Sequence, residues 1–330
     1  MPNADTALER AEDLAERVLP DRSPKRRMLV IVNPYATTVS DRLKNLVVYA
    51  LQGRYSVEAV DTERREHATQ ICREAASEGY DVVVAFGGDG TINEAANGLI
   101  GTTTPLTCLP GGSTNVVCRT LGIPNDVVDA TEHLLRMADE FEPRAVDTGR
   151  VNGRHFVASS GIGLDASVVE RVDSHPKLKA RFGPWYFTWA GISTFNKRYL
   201  VKPPHVRAIA NGAELSGVTA IVQNSAPFTY FGSRPIMIGR DVELGDGTLA
   251  LTVLKRASPA VFATLLPRIF AAREGAVAGH RQIESLSGLT SLRVEAEGDG
   301  TFPLQVDGDF VGQFRSADFE VVPGSLFVVS

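Results

Sequence analysis

Three glycines, a carboxylate and a hydroxyl stand together in the run Gly87-Gly88-Asp89-Gly90-Thr91. The run follows the apolar stretch Asp81 to Phe86 and precedes the helical pattern of Ile92 to Leu99, so it reads as a turn between a buried strand and a helix. Glycines at such a turn let the backbone come close to a phosphate, and the first amides of the helix face it. Asp89 would repel a bare phosphate unless it meets Mg²⁺, contacts a hydroxyl or takes a proton. The plainer reading is a connection that binds nothing. A second such turn, Pro110-Gly111-Gly112-Ser113-Thr114-Asn115, lies between the short apolar run Leu106 to Leu109 and a helical pattern through Leu121. Ser113 and Asn115 can hydrogen-bond phosphate or ribose, although either can also cap the helix. Two glycine-rich turns in neighbouring units share one edge of a sheet, which favours a nucleotide. The Walker pattern GxxxxGK[ST] is absent, which disfavours a P-loop enzyme.

The elements that must hold these turns are legible from periodicity. Met28 to Val32 is a fully apolar run suited to a buried parallel strand, followed by a turn at Asn33 and Pro34. Helical spacing at Leu43 to Leu51, a strand near Tyr55 to Val60 and a helix from about Glu66 to Glu78 come next. Alternating strands and helices predict a doubly wound parallel α/β domain over 28–145. Beyond Arg144, short alternating runs bounded by Gly, Asn and Asp predict a mostly antiparallel β-rich domain over 146–330, interrupted by helices near 177–199 and 259–272. Whether the last strands return to the first domain is open. Residues 1–27 read as an amphipathic helical extension ended by Pro20 and followed by a basic patch.

Composition narrows the function. The chain has 330 residues, 43% hydrophobic and 22% charged, which fits a soluble, core-burying protein of about two domains. A net charge of -5 argues against a nucleic-acid partner held by bulk charge. Cys72, Cys108 and Cys118 form no CxxC pair and read as reduced, no run reaches 18 apolar residues, and the N-terminus is acidic where a secretory signal is basic. A cytoplasmic location is the expectation. Both tryptophans, Trp185 and Trp189, lie among Phe182, Tyr186 and Phe187 in a window flanked by lysines and arginines. That pattern suits either a membrane interface or burial against the β domain. The six histidines show no metal-binding spacing.

In order along the chain, Asn33-Pro34, Thr62, Gly87 to Glu94 (GGDGTINE), Pro110 to Asn115 with Leu121 to Pro124, Asp147-Thr148-Gly149, Gly161 to Ala166, Asp246 to Leu249 and Val306 to Asp309 resemble the diacylglycerol kinase catalytic domain family, which includes bacterial lipid kinases and sphingosine and ceramide kinases. The resemblance runs from about residue 28 to the C-terminus and implies a nucleotide-binding α/β domain followed by a β-rich lipid-binding domain. It implies an ATP site formed by Asn33, Thr37, Thr62, Gly87, Gly88, Asp89, Gly90, Thr91, Ile92, Asn93, Glu94, Gly112, Ser113 and Asn115. It implies a carboxylate general base from the Asp307-Gly308-Asp309 turn, with Asp89 the other candidate, and Mg²⁺ bridging the phosphates. Asp246, with Glu243 and Thr248 contributing mainly backbone oxygens, resembles a structural divalent-cation site, and an Asp-Gly turn is the alternative. Two positions depart from the pattern. The family usually has Glu where Asp309 stands and commonly Asp where Val116 stands, although sphingosine kinases are also apolar there.

The function expected is an ATP-dependent lipid kinase acting on a diacylglycerol-like or sphingoid hydroxyl at a membrane surface, peripherally attached, with a homodimer left open. An NAD kinase shares GGDG but usually starts the next helix with more apolar residues than Ile92-Asn93-Glu94. A non-catalytic lipid or nucleotide sensor is the third reading, motivated by Asp309 and Val116.

Overall fold

The computed structural model describes residues 25–36, 39–173 and 204–330. The chain opens with β1 (Arg27–Val32), whose five residues after Arg27 are all buried. It pairs in parallel with β2 (Ser56–Asp61) on one side and β3 (Val82–Gly87) on the other, and β3 pairs in parallel with β4 (Leu106–Pro110). Strands covered on both faces have no polar side to show, which is why β1, β3 and β4 are continuous apolar runs while the edge strand β2 alternates.

Helices α1 (Asp41–Leu51), α2 (His67–Ser77), α3 (Asp89–Leu99), the short α4 (Val116–Thr120) and α5 (Val127–Met137) connect and cover this sheet. Their starts are set by local chemistry. Ser40 accepts from the Leu43 amide to cap α1, and Asp126 accepts from Val128 and Asp129 to cap α5.

The change of sequence texture near residue 145 does not end the first sheet. β5 (Arg144–Val151) forms a hairpin with β6 (Arg154–Phe156), and β5 runs antiparallel to β18 (Ser316–Val328). That last strand also meets β4 in parallel at Val328 and Leu106, so the C-terminus is built into the first sheet. Its other flank pairs with β15 (Ser291–Ala296), which leads through β8 (Val206–Ala210) to β9 (Ala213–Gly217). A register break between Val322 and Leu326, at Pro323-Gly324-Ser325, lets β18 serve both ends.

A second, six-stranded antiparallel sheet is ordered β14 (Ile283–Leu289), β13 (Leu249–Leu254), β10 (Thr219–Gln223), β7 (Ser159–Gly163), β16 (Phe302–Val306), β17 (Asp309–Phe314). Phe156, Phe302 and Phe319 are among the large side chains of the core between the two sheets. Helix α6 (Leu164–Asp173) follows β7, the hairpin β11 (Thr229–Phe231) and β12 (Arg234–Ile236) stands apart, and α7 (Pro259–Ile269) covers a small satellite core. Among the described residues no helix is long and apolar enough to cross a membrane. Trp185, Trp189 and the rest of their window lie outside the described residues, as do the proposed N-terminal helix and Thr37.

Candidate active site

The two glycine-rich turns lie against each other. The Gly111 amide donates to the Gly87 carbonyl at 2.8 Å, a Cβ on Gly111 would stand 2.8 Å from Gly87 Cα, and one on Gly112 would stand 2.9 Å from Gly88 Cα. No side chain fits between two backbones at that spacing, so these glycines are required by the packing of turn on turn.

The first turn opens α3. Gly88 is its N-cap and offers no side chain to the first amides, leaving donors and the positive end of an eleven-residue helix at the turn. Thr91 is held from behind, since Asn33 Nδ2 donates to Thr91 Oγ1 at 2.9 Å while Asn33 Oδ1 accepts from the Tyr35 amide. Thr62 is buried at the end of β2, with its amide on the Val32 carbonyl. Asn33, Thr62 and the glycine turns thus cluster at the C-terminal ends of β1 to β4, where open α/β sheets bind ligands.

The second sheet reaches into this edge. Asp309, the first residue of β17, presses its carboxylate onto Gly90: a Cβ there would lie 2.7 Å from Asp309 Oδ2. Arg154, which follows the Asn152-Gly153 turn of the β5–β6 hairpin, places Nη2 3.8 Å from the same oxygen. Its guanidinium also donates to Asn93 Oδ1 at 3.0 Å and pairs with Glu66 at 3.5 Å. Glu66 before α2, Asn93 of α3 and Asp309 of β17 therefore meet at the one cation that β6 supplies.

Asp307 and Asp309 are two residues apart and do different things. Asp307 is buried, and its carboxylate accepts from the amides of Val157 (2.8 Å), Ala158 (2.9 Å) and Ser159 (2.9 Å) and from Asn93 Nδ2 (2.9 Å). Burial still holds its carboxyl above the ordinary range, against the pull of those donors. With these four donors on its carboxylate, Asp307 fixes the turn that precedes β17. Its φ of +45° is the left-handed conformation that the turn imposes.

Asp89, at the first position of α3, is partly buried. The Val117 amide donates to its Oδ1 at 3.1 Å. Burial pushes its pKa up to about 6, the Val117 and Val116 amides at the start of α4 pull it down, and the negative charges of Asp307 and Asp309 raise it further.

Several residues expected at the nucleotide have their side chains occupied elsewhere. Ile92 is fully buried in the first core. Asn93 joins α3 to β6 through the His155 carbonyl and to the second sheet through Asp307. Glu94 accepts from the Ala68 amide and so caps α2, whose own N-cap residue Glu66 makes no side-chain cap bond. Asn115 is buried with φ +51°. It closes the second turn by accepting from the Gly112 amide and donating to the Gly112 carbonyl and Asn125. The side chains of these four brace the turns, Ile92 by apolar burial and Asn93, Glu94 and Asn115 by hydrogen bonds. Ser113 stays exposed.

At the suggested cation site, Asp246 Oδ2 accepts from the Glu243 amide and Oδ1 from the Thr248 amide and hydroxyl, at 2.7 to 2.9 Å. Asp147 then ties this turn to β18, accepting from Gly247 and Gly324. These bonds close a turn around the Asp246 carboxylate. Among the described residues no group of three or more His, Cys, Asp and Glu side chains forms a metal cage. Mg²⁺ fits the first turn in another way: carboxylates close enough to raise the pKa of Asp89 would be relieved by a cation arriving on nucleotide phosphates.

Arg154 and Asp147 have their geometry from long-range pairing. An Asn-Gly turn signals the hairpin before Arg154, but nothing in the sequence says that it points at Asp309.

Comparison with known proteins agrees with this layout. The model of the diacylglycerol kinase catalytic domain matches residues 27–151, and that of the YegS C-terminal NAD kinase beta sandwich-like domain matches 158–330. A diacylglycerol kinase of Staphylococcus aureus (strain bovine RF122 / ET3-1) is 27% identical over 316 residues, covering 89% of this chain and 92% of the relative. One from strain MRSA252 is 29% identical over 245 residues, 71% of this chain and 72% of the relative. The crystal structure of a diacylglycerol kinase from Bacillus anthracis str. Sterne superposes with TM-score 0.69 at 26% identity, covering 93% of this chain and 98% of that one. Another structure from that organism gives TM-score 0.73 at 26% identity, covering 94% and 97%.

Proposed function

Because the chain belongs to the diacylglycerol kinase catalytic domain family, a family of lipid kinases, we propose that it moves the γ-phosphate of ATP to a lipid hydroxyl, with Asp309 taking the hydroxyl proton. The observation that carries this reading is the contact of Asp309 with Gly90. It puts a carboxylate of the β-rich domain at the phosphate-facing start of α3, where an acceptor bound to one domain meets a donor bound to the other.

The amides at the start of α3, unblocked by a capping side chain, face the phosphates, and the helix end favours their charge. Mg²⁺ arriving with the nucleotide would offset the charge of the phosphates, and Asp89 is the carboxylate that would hold it. Asp309 accepts the proton as the lipid oxygen bonds to phosphorus and the bond to the ADP oxygen breaks. Arg154 pairs with Asp309 at 3.8 Å and orients it. Asp is one methylene shorter than Glu, and the Asp309 carboxylate nonetheless reaches Gly90.

The test is transfer of labelled phosphate from ATP by the purified full chain, offered diacylglycerols, sphingoid bases, ceramide and NAD in parallel. Labelled lipid with NAD unlabelled is the expected result. Labelled NAD alone would move the reading to a nicotinamide nucleotide kinase, and ATP binding with no labelled product would leave a sensor.

A further inference from the structure

Three large apolar side chains in the second half of the chain stand in solvent close together. Phe231 ends β11 and is 50% exposed, Leu266 lies in the last turn of α7 at 45%, and Phe270 follows that helix at 39%. The Phe231 and Phe270 rings meet edge to face with centroids 5.5 Å apart. Leu266 and Phe270 are four residues apart, joined by the Phe270 amide on the Leu266 carbonyl, and so share a face. A soluble protein gains nothing by pairing two phenylalanine rings outside its core.

The segments that carry this patch are rich in basic residues. Segments 226–240 and 255–273, which carry it, contain Arg234, Arg240, Lys255, Arg256, Arg268 and Arg273 and no Asp or Glu, in a chain whose net charge is -5. Lys255 is paired with Glu284, while Arg234, Arg240, Arg256, Arg268 and Arg273 are exposed. The nearest acids in sequence are Asp241 and Glu274, at the borders of the segments, and Glu274 accepts from the Asp241 amide.

The patch is also fixed to the nucleotide-binding half. Arg119, in α4, donates to the carbonyls of Gly232 and Ser233 at the tip of the β11–β12 hairpin and stacks on the Tyr230 ring at 3.3 Å. The helix that holds Asp89 therefore also holds the hairpin that presents Phe231.

We propose that the surface formed by Phe231, Leu266 and Phe270, with its arginine rim, docks on an anionic lipid bilayer, the rings entering the interface and the guanidinium groups meeting lipid phosphates. Apolar insertion and cationic attraction reinforce each other at such a surface, where either alone binds weakly. A second copy of the chain is the poorer occupant, because a twofold contact would set this cationic rim against itself. The docking takes its purpose from the lipid-kinase reading, and its vesicle-binding readout needs neither ATP nor a lipid substrate.

Full-length protein is sedimented with vesicles of phosphatidylcholine alone and with about one third phosphatidylglycerol. Wild type is expected to bind the anionic vesicles at least about tenfold better than the neutral ones, and less well as salt rises. Phe231→Ser with Phe270→Ser should lose at least about tenfold of that binding, and Arg234→Gln with Arg273→Gln should abolish the preference for anionic lipid. Both double variants should keep the wild-type melting temperature and ATP affinity; if the phenylalanine pair fails to fold, the arginine pair still decides. Unchanged vesicle binding in the folded variants overturns the proposal, as does wild-type protein that binds no vesicles. A wild-type dimer split by the phenylalanine changes, with vesicle binding intact, overturns it in favour of a second copy. Vesicle binding without phosphotransfer leaves the docking in place and refutes the kinase reading alone.

Discussion

The two glycine-rich turns look alike in sequence and do different work. The turn at 87–91 opens an eleven-residue helix with uncapped amides, carries Asp89, and is met at Gly90 by Asp309 from the other domain. The turn at 110–115 is closed on itself by Asn115 and opens a helix of five residues whose first amides bond Asp89. One presents chemistry and the other holds it in place. A glycine-rich pattern thus marks where backbones come close, whether to a ligand or to each other, and the side chains around it decide which.

The sharpest division between the turns comes from Asp89. Asp89→Asn keeps the bond from Val117 but removes the charge, and phosphoryl transfer should fall by at least about a hundredfold. The same change should stabilise the fold at neutral pH. The carboxyl titrates near 6 in the folded chain against 3.8 ordinarily, so its ionisation is disfavoured by folding. The resulting penalty is absent below about pH 3.8, grows up to about pH 6 and is complete above it. Thermal melting of both proteins at pH 4 and pH 8 checks the sign: the variant should gain only at the higher pH.

The supporting turn should break the other way, in stability before chemistry. Gly111→Ala forces a methyl to within 2.8 Å of Gly87 Cα and should cost about 2–4 kcal/mol in denaturant unfolding. Asn115→Ala strands the Gly112 amide and places a left-handed φ on alanine, and should cost about 1–3 kcal/mol. Its transfer rate should fall several-fold through the loosened hold on Asp89, with ATP binding less affected. Glu94→Gln, at the far side of the first turn, should cost about 0.5–1 kcal/mol as the cap of α2 weakens, and should leave the transfer rate unchanged. A large loss of ATP affinity in Glu94→Gln would return that side chain to the nucleotide.

Much of this was legible beforehand. Apolar runs such as Met28 to Val32 announce buried parallel strands because nothing but a doubly covered sheet accepts them, and the turns that follow are forced to its edge. The short strand Ser159–Gly163 was not legible, since Ser-Ser-Gly-Ile-Gly has no alternation and is a central strand only because β10 and β16 flank it. The return of β18 to β4 is likewise a pairing across more than two hundred residues that periodicity does not encode. Within the site, residue types were readable and their assignments were not. Asp307 and Asp309 are chemically identical, and the three amides that converge on Asp307 are brought there by long-range packing that the sequence does not display.

Asp309 therefore bears the central claim, and single-turnover transfer to a dispersed lipid by Asp309→Asn, measured beside its ATP dissociation constant, tests it most directly. The rate should fall by at least about a hundredfold while ATP affinity stays within about threefold, since the base touches the acceptor and not the nucleotide. Transfer at the wild-type rate, or a loss of ATP affinity as large as the loss of rate, would contradict the assignment of Asp309 as the proton acceptor.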